Sequence, residues 1–234
     1  MEEEKLDSPT WFSLTETQEV FSIDYNDIKF YNPEYCPFGA FINLATTKAG
    51  IDKYALLINN FYIVGDKPDF SDKVHLNKEL ICIQMLLRKP IEVKISEQII
   101  ELKTTRQKID LFELVNLVQP GYFMKNTSDL GNYYGIYKDE KLIAVTGERM
   151  KMNKYTEVSA VVTHPEYTGK GYAKQLITHT SNKIFSENKT PYLHVADTNI
   201  GAIRLYEKLG FRTRRKISFW DFATNNIKSA IANC

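Results

Sequence analysis

The sequence predicts an α/β protein built on one mixed central sheet flanked by helices. Two observations carry this: strand-like and helix-like patterns alternate after Pro90, and one strand runs through a glycine-containing turn directly into a helix.

Before Lys89-Pro90 the signals are mixed. A short helix is expected at 15–21, a turn or loop at 33–39, a second helix at 48–59, and strands at 61–64 and 80–87. Beyond Pro90 a strand is expected at 99–103. Leu111, Leu114, Val115 and Val118 then fall on one helix face, and Pro120-Gly121 ends that helix. Residues 133–138 and 141–149 form two strands around Asp139-Glu140, a hairpin.

Residues 156–163 make the next strand. Simple alternation puts Val158, Ala160 and Val162 on one side, and Glu157, Ser159, Val161 and Thr163 on the other. A helix at 171–186 carries Ala173, Leu176, Ile177 and Ile184 on one stripe. After a strand at 192–195, another helix presents Ala202, Leu205, Tyr206 and Leu209 on one face, with Gly210 as its C-cap. A strand at 216–222 closes the order β-α-β-β-β-α-β-α-β. No internal repeat and no linker stand out, so the change of texture sets the expected division: a smaller, divergent α+β half at 1–90 and the main α/β half at 91–234.

With 30 basic and 29 acidic side chains the formal charge is +1, which predicts neither a nucleic-acid footprint nor strong capture of acidic partners. Cys36, Cys82 and Cys234 are widely spaced and form no Cys-x-x-Cys pair, so neither a disulfide framework nor a metal site is expected. The acidic start, Met1-Glu2-Glu3-Glu4, is unlike a signal peptide, and the apolar runs are too short to span a bilayer. The expected setting is the cytoplasm, with no membrane partner. Nothing here sets an oligomeric state.

Two motifs carry chemistry. The first is Val161-Val162-Thr163-His164-Pro165-Glu166-Tyr167-Thr168-Gly169-Lys170-Gly171-Tyr172-Ala173. A strand-turn-helix of this kind aims backbone N–H groups from the positive end of the helix dipole, suiting a pyrophosphate. Alone it reads equally well as a tight connection. It is neither a P-loop nor a dinucleotide fingerprint, because the Lys-Ser/Thr pair and the third glycine are missing. The second motif runs from Asn199 to Phe211, with Asn199, Ala202, Tyr206 and Gly210 in order. Asn199 and Tyr206 lie about two helical turns apart, on one side of a helix.

With both motifs in order, roughly the last 130 residues resemble the GNAT acetyltransferases. Their acetyl-CoA turn has the form Gln/Arg-x-x-Gly-x-Gly/Ala, and their later helix reads Asn-x-x-Ala-x-x-x-Tyr-x-x-x-Gly-Phe. The words Gly147-Glu148-Arg149-Met150, Ser159-Ala160-Val161, Thr163-His164-Pro165 and Leu193-His194-Val195 are similar to the branch of glycine N-acyltransferases. In that branch a divergent N-terminal half precedes the catalytic half, which suggests a degenerate GNAT-like fold for 1–90. One departure is Thr168, where Gln or Arg is usual. Its hydroxyl and N–H can still meet phosphate, and Lys170 or Lys174 could replace the lost contact.

The resemblance implies that Val161, Val162 and Thr163 offer backbone groups to the pantetheine arm. It places the pyrophosphate over Thr168, Gly169, Lys170, Gly171, Tyr172 and Ala173. Asn199, Ala202 and Tyr206 would face the coenzyme, with Tyr206 protonating the departing thiolate; a phenol of pKa about 10 suits that task. Tyr206 could instead be core, and Asn199 could be an N-cap alone. Glu157 and Glu148 are candidate bases, against a plain reading as solvated charges. His164 and His194 are weaker ones. The implied activity is N-acetyltransfer by direct attack of an amine on acyl-CoA, with acetyl-CoA as acyl donor and a small amine or amino acid as acceptor. The alternative is an acyl-CoA-binding protein without turnover.

Overall fold

The computed structural model describes residues 2–225; Cys234 lies outside them. The N-terminal half comprises α1 (Pro9–Thr15), β1 (Ser22–Asp24), β2 (Ile28–Tyr31), β3 (Phe38–Phe41), α2 (Thr47–Tyr54), β4 (Asn60–Val64) and β5 (Val74–Leu86). The rest comprises β6 (Ile100–Glu101), α3 (Thr105–Val118), β7 (Tyr133–Lys138), β8 (Lys141–Lys151) and β9 (Tyr155–Thr163). It continues through α4 (Tyr172–Ser186), β10 (Thr190–Ala196), α5 (Ile200–Lys208) and β11 (Arg212–Thr224). Among the described residues no helix is long and apolar enough to cross a membrane.

The C-terminal elements follow the sequence pattern closely because their ends carry local signals. Thr104 and Gln107 form a reciprocal capping box at the start of α3. Asn199 Oδ1 accepts from the Ala202 N–H, 3.1 Å, and starts α5. The first half departs from expectation. Its first helix lies earlier, with Pro9 in the opening turn, where a missing N–H costs nothing. Strands β1 and β2 arise where the sequence predicts no element, and β3 begins at the end of the expected loop, since segments of three or four residues are too short to display a period.

All strands join one mixed sheet in the order β1-β2-β3-β4-β11-β5-β10-β9-β8-β7-β6. Its centre is the long antiparallel pair β5–β11, running from Val74/Thr224 to Leu86/Arg212. From that pair outward the two flanks match. β4 and β10 are antiparallel to it, β3 and β9 are parallel to those, and β2 and β8 are antiparallel again. The connections match as well: α2 links β3 to β4 as α4 links β9 to β10. A topological two-fold therefore passes between β5 and β11, although no repeat is visible in the sequence.

The halves exchange strands across this centre. β5, from before Lys89-Pro90, lies between β10 and β11; β11, from the chain's far end, lies between β4 and β5. A chain starting at residue 91 would leave facing edges of β10 and β11 unpaired, with apolar residues such as Leu193 and Phe219 open to water. The fragment 91–234 should therefore be unfolded or aggregated by circular dichroism and size-exclusion chromatography. A folded, monodisperse fragment would refute this.

Candidate active site

The site begins where two neighbouring strands part. β9 and β10 pair only from Tyr155/Thr190 to Glu157/Tyr192. β10 continues along β5 to Ala196, and β9 continues along β8 to Thr163. Beyond Glu157 a wedge opens between them, bordered by strand backbone that has lost its neighbour on that side.

A bulge turns β9 at this point. Val145 faces Val162 and Gly147 faces Ser159, so Ala160 and Val161 together oppose Thr146. Ala160 takes φ +49°. The extra residue overturns the simple alternation expected for 156–163. Val158 and Val161 pack with Ile177 and Tyr206, on the side of α4 and α5. Ala160 and Val162 pack with Leu111 and Leu114 of α3. Val161 thus shares a face with Val158 and not with Glu157.

The glycine turn follows β9. Gly169 and Gly171 have φ +76° and +78°, and a Cβ at either would meet no atom within 4 Å. Glycine is required by the left-handed backbone, and the space above the turn is open to a ligand. Tyr172 opens α4, whose N-terminus faces that space. Thr168 donates its hydroxyl proton to the Pro165 carbonyl, 3.1 Å, which stitches the turn and commits the hydroxyl within it. Lys170 and Lys174 are exposed beside it, with Lys170 Nζ 5.0 Å from the Tyr167 ring centre. His164 accepts from the Glu166 N–H within the same turn.

A cavity of about 400 Å³ fills the wedge. Val161, Ala173, Asn199, Ala202 and Tyr206 line one side; Phe38, Leu80, Cys82, Tyr122, Arg149 and Glu157 line the other. Val162 is buried against α3, while Thr163 and the 168–172 turn lie beyond this lining. Tyr206 is 6% exposed, and burial raises its phenol above the ordinary value of 10. No described residue hydrogen-bonds its hydroxyl. Asn199 does cap α5, while still reaching the cavity.

Glu157 is not a solvated charge. It is 1% exposed, and four N–H groups converge on it: Arg149 Nε at 2.9 Å, Arg149 Nη2 at 2.8 Å, His194 Nδ1 at 2.9 Å and the Met150 amide at 3.4 Å. Burial alone would push its carboxyl up. The Arg149 charge and the bonds from His194 and Arg149 outweigh that and hold it down at about 2. Glu157 is thus a weak base with its acceptor positions filled. Glu148 lies outside the cavity lining, buried against Lys151 Nζ at 2.7 Å and the Asn132 N–H at 3.2 Å.

His194 is equally committed. Gln84 Nε2 donates to its Nε2 at 3.0 Å and to the Leu6 carbonyl at 2.8 Å, while Gln84 Oε1 accepts from Arg214. Those partners fix the amide, so His194 Nε2 must accept and Nδ1–H must donate to Glu157: a neutral imidazole. Arg149, Gln84 and the cavity residues of the first half, Phe38, Leu80 and Cys82, did not emerge from the sequence as site residues. Arg149 had one available signal, a charge within the apolar strand pattern 142–150.

Similarity to known proteins runs over most of the chain. Residues 133–220 match the family model described as FR47-like protein. A solved structure from Novosphingobium aromaticivorans, assigned to the GNAT family of acetyltransferases, is 29% identical with a TM-score of 0.86, covering 94% of this chain and 99% of its own. A GCN5-related N-acetyltransferase-like protein of Streptococcus suis has 14% identity and a TM-score of 0.64, over 93% and 96% of the two chains. A GCN5-related N-acetyltransferase from Kribbella flavida has 9% identity and a TM-score of 0.61, over 95% of each. No curated protein matches the sequence. The fold is the GNAT fold.

The ion pair at Glu157 has a pH signature. Its folded value lies below its ordinary 4.5, so its contribution is complete above pH 4.5 and is lost as pH falls toward 2. Glu157→Gln should be less stable at pH 7, because Arg149 is left buried without a counter-charge. In denaturant titrations the gap to wild type should narrow by on the order of 3 kcal/mol between pH 7 and pH 2.5. A constant gap would mean that Glu157 is not held charged.

Proposed function

We propose that this protein transfers an acyl group, acetyl in the first instance, from acyl-CoA to an amine within the cavity between β9 and β10. The observation that carries this reading is the cavity in the wedge between β9 and β10, with the glycine turn at its end. The cavity follows the unpaired edge of β9 from Val158 to Val161 and reaches Ala173 and Tyr206, and the turn with two left-handed glycines lies just beyond it, between β9 and α4.

The residues fit a coenzyme in that order. The turn's N–H groups and the start of α4 receive the pyrophosphate, and the open edge of β9 around Val161 offers hydrogen bonds to the pantetheine amides. The thioester then reaches Tyr206. Amine attack on its carbonyl forms the C–N bond and breaks the C–S bond; Tyr206 gives its proton to the departing thiolate, and the proton shed by the attacking nitrogen passes through water to restore the phenol. The raised pKa keeps the phenol proton in place before the reaction. Burial acts the same way on a thiol in the cavity wall, where it pushes Cys82 up to about 12, so a coenzyme thiolate buried beside it would also be the more basic. That value also makes Cys82 a poor acyl carrier, in favour of direct transfer.

The amine must arrive neutral, its proton lost to water, since Glu157 and His194 are fully bonded. Holding two substrates in line supplies much of the rate without a dedicated base. We further infer that 1–90 is a degenerate second copy of the fold, supported by the two-fold in strand order, and that it works in the cytoplasm as the acceptor-side wall. A second reading, acyl-CoA binding without turnover, draws on the same committed state of Glu157 and His194. Thiol release from acetyl-CoA with an amine panel separates the two.

Acetyl-CoA at 100 times its dissociation constant should stabilise the protein by about 2.7 kcal/mol, read as a rise in melting temperature, while ATP at equal concentration should not. Gly171→Val should abolish the rise, because a β-branched residue is strained at φ +78° and its side chain enters the phosphate space.

Tyr206→Phe should lower turnover about 10²-fold or more, the worth of a positioned acid. Stability should change by less than about 1 kcal/mol, since no protein hydrogen bond is lost, and acetyl-CoA affinity should hold. Normal turnover in a folded variant would strike Tyr206 from the mechanism.

A further inference from the structure

Arg149 is unusual among the cavity residues. Its side chain is 13% exposed, and its guanidinium lies 4.6 Å from the centre of the Phe38 ring. Of its five N–H groups, Nε and one on Nη2 go to Glu157, and no acceptor among the described residues takes the other three. The Glu157 carboxylate, in contrast, has its acceptor positions filled, and His194 is neutral with both nitrogens used. The polar wall of the acceptor side is therefore one-sided: it offers cationic donors and no free carboxylate.

The unpaired edge of Arg149 is open to the cavity, since no Arg149 nitrogen is among the described polar atoms that are both buried and without a partner, and a planar carboxylate is its natural complement. An ammonium or polyamine finds nothing there to pair with. The surrounding Phe38, Leu80, Tyr122 and Phe219 suit an apolar body.

We propose that the acceptor is an amine that also carries a carboxylate, an amino acid with an apolar side chain, and that the free edge of Arg149 binds that carboxylate. This rests on the acyltransferase reading of the cavity and adds the acceptor class. Phe38 stacks on the guanidinium and holds its plane, so the first half of the chain takes part in choosing the acceptor.

The test uses the full chain, acetyl-CoA and matched acceptors, leucine against isopentylamine and phenylalanine against 2-phenylethylamine, with rates compared per neutral amine because the carboxylate also lowers the amine pKa. Thiol release should favour the amino acid by about 10- to 100-fold in kcat/KM, the range of one buried charge-assisted hydrogen bond. Arg149→Lys, which keeps the charge but loses the fork, should shrink that ratio toward one. Equal rates within a pair, or faster reaction of the plain amine, would overturn the proposal; if the variant fails to fold, the wild-type ratio decides. If no acceptor releases thiol, calorimetric titration of leucine into protein saturated with coenzyme A takes over. Binding of leucine but not isopentylamine would uphold the carboxylate subsite while removing the transferase reading, and no binding would remove both.

Discussion

The site depends on β10 being held on one side and released on the other. Parallel strands do not part without cause, since each loses backbone hydrogen bonds along the opening. Here each keeps its outer neighbour: β10 stays paired with β5 and β9 with β8. The bulge at Ala160 and Val161 then swings the released edge of β9 toward α4 and α5. That opening is what makes room for the cavity and brings Val161 of β9 and Tyr206 of α5 to one wall of it.

The first half of the chain is structural support and cavity wall together. Gln84 of β5 fixes the ring of His194, which donates to Glu157, which holds Arg149. From the other side Gln18 donates to the Arg149 carbonyl and accepts from the Lys151 N–H and the Tyr31 hydroxyl. A buried ion pair of this kind gains little stability over an apolar core, but removing one member is severe. Its contribution is geometric: it fixes a guanidinium against Phe38 in the cavity wall.

Legibility in the sequence follows the range of the signal. The turn with Gly169 and Gly171, the Asn199 cap, the 139–140 hairpin and the helix ending at Gly210 are local, and each appears where the residues predict it. The bulge at Ala160 is invisible, because Ala does not announce a left-handed backbone, and one extra residue inverts a face assignment. Glu157 reads as any acidic residue on a strand; its low pKa comes from Arg149 on β8 and His194 on β10, partners set by register. The short strands β1–β3 and the place of β5 are tertiary facts, and the topological two-fold survives without a sequence repeat because strand order outlasts side-chain identity.

The exchange of β5 and β11 also bears on the order in which the chain can fold. During synthesis β4 and β5 emerge long before β11, the strand that must separate them. Their pairing edges wait for the end of the chain, exposed to one another and to neighbouring molecules. The central ladder joins Val74 to Thr224, so the sheet closes only by a contact of very long sequence separation. β11 is therefore the fastener of both halves, and until it emerges the sheet stays open at its middle.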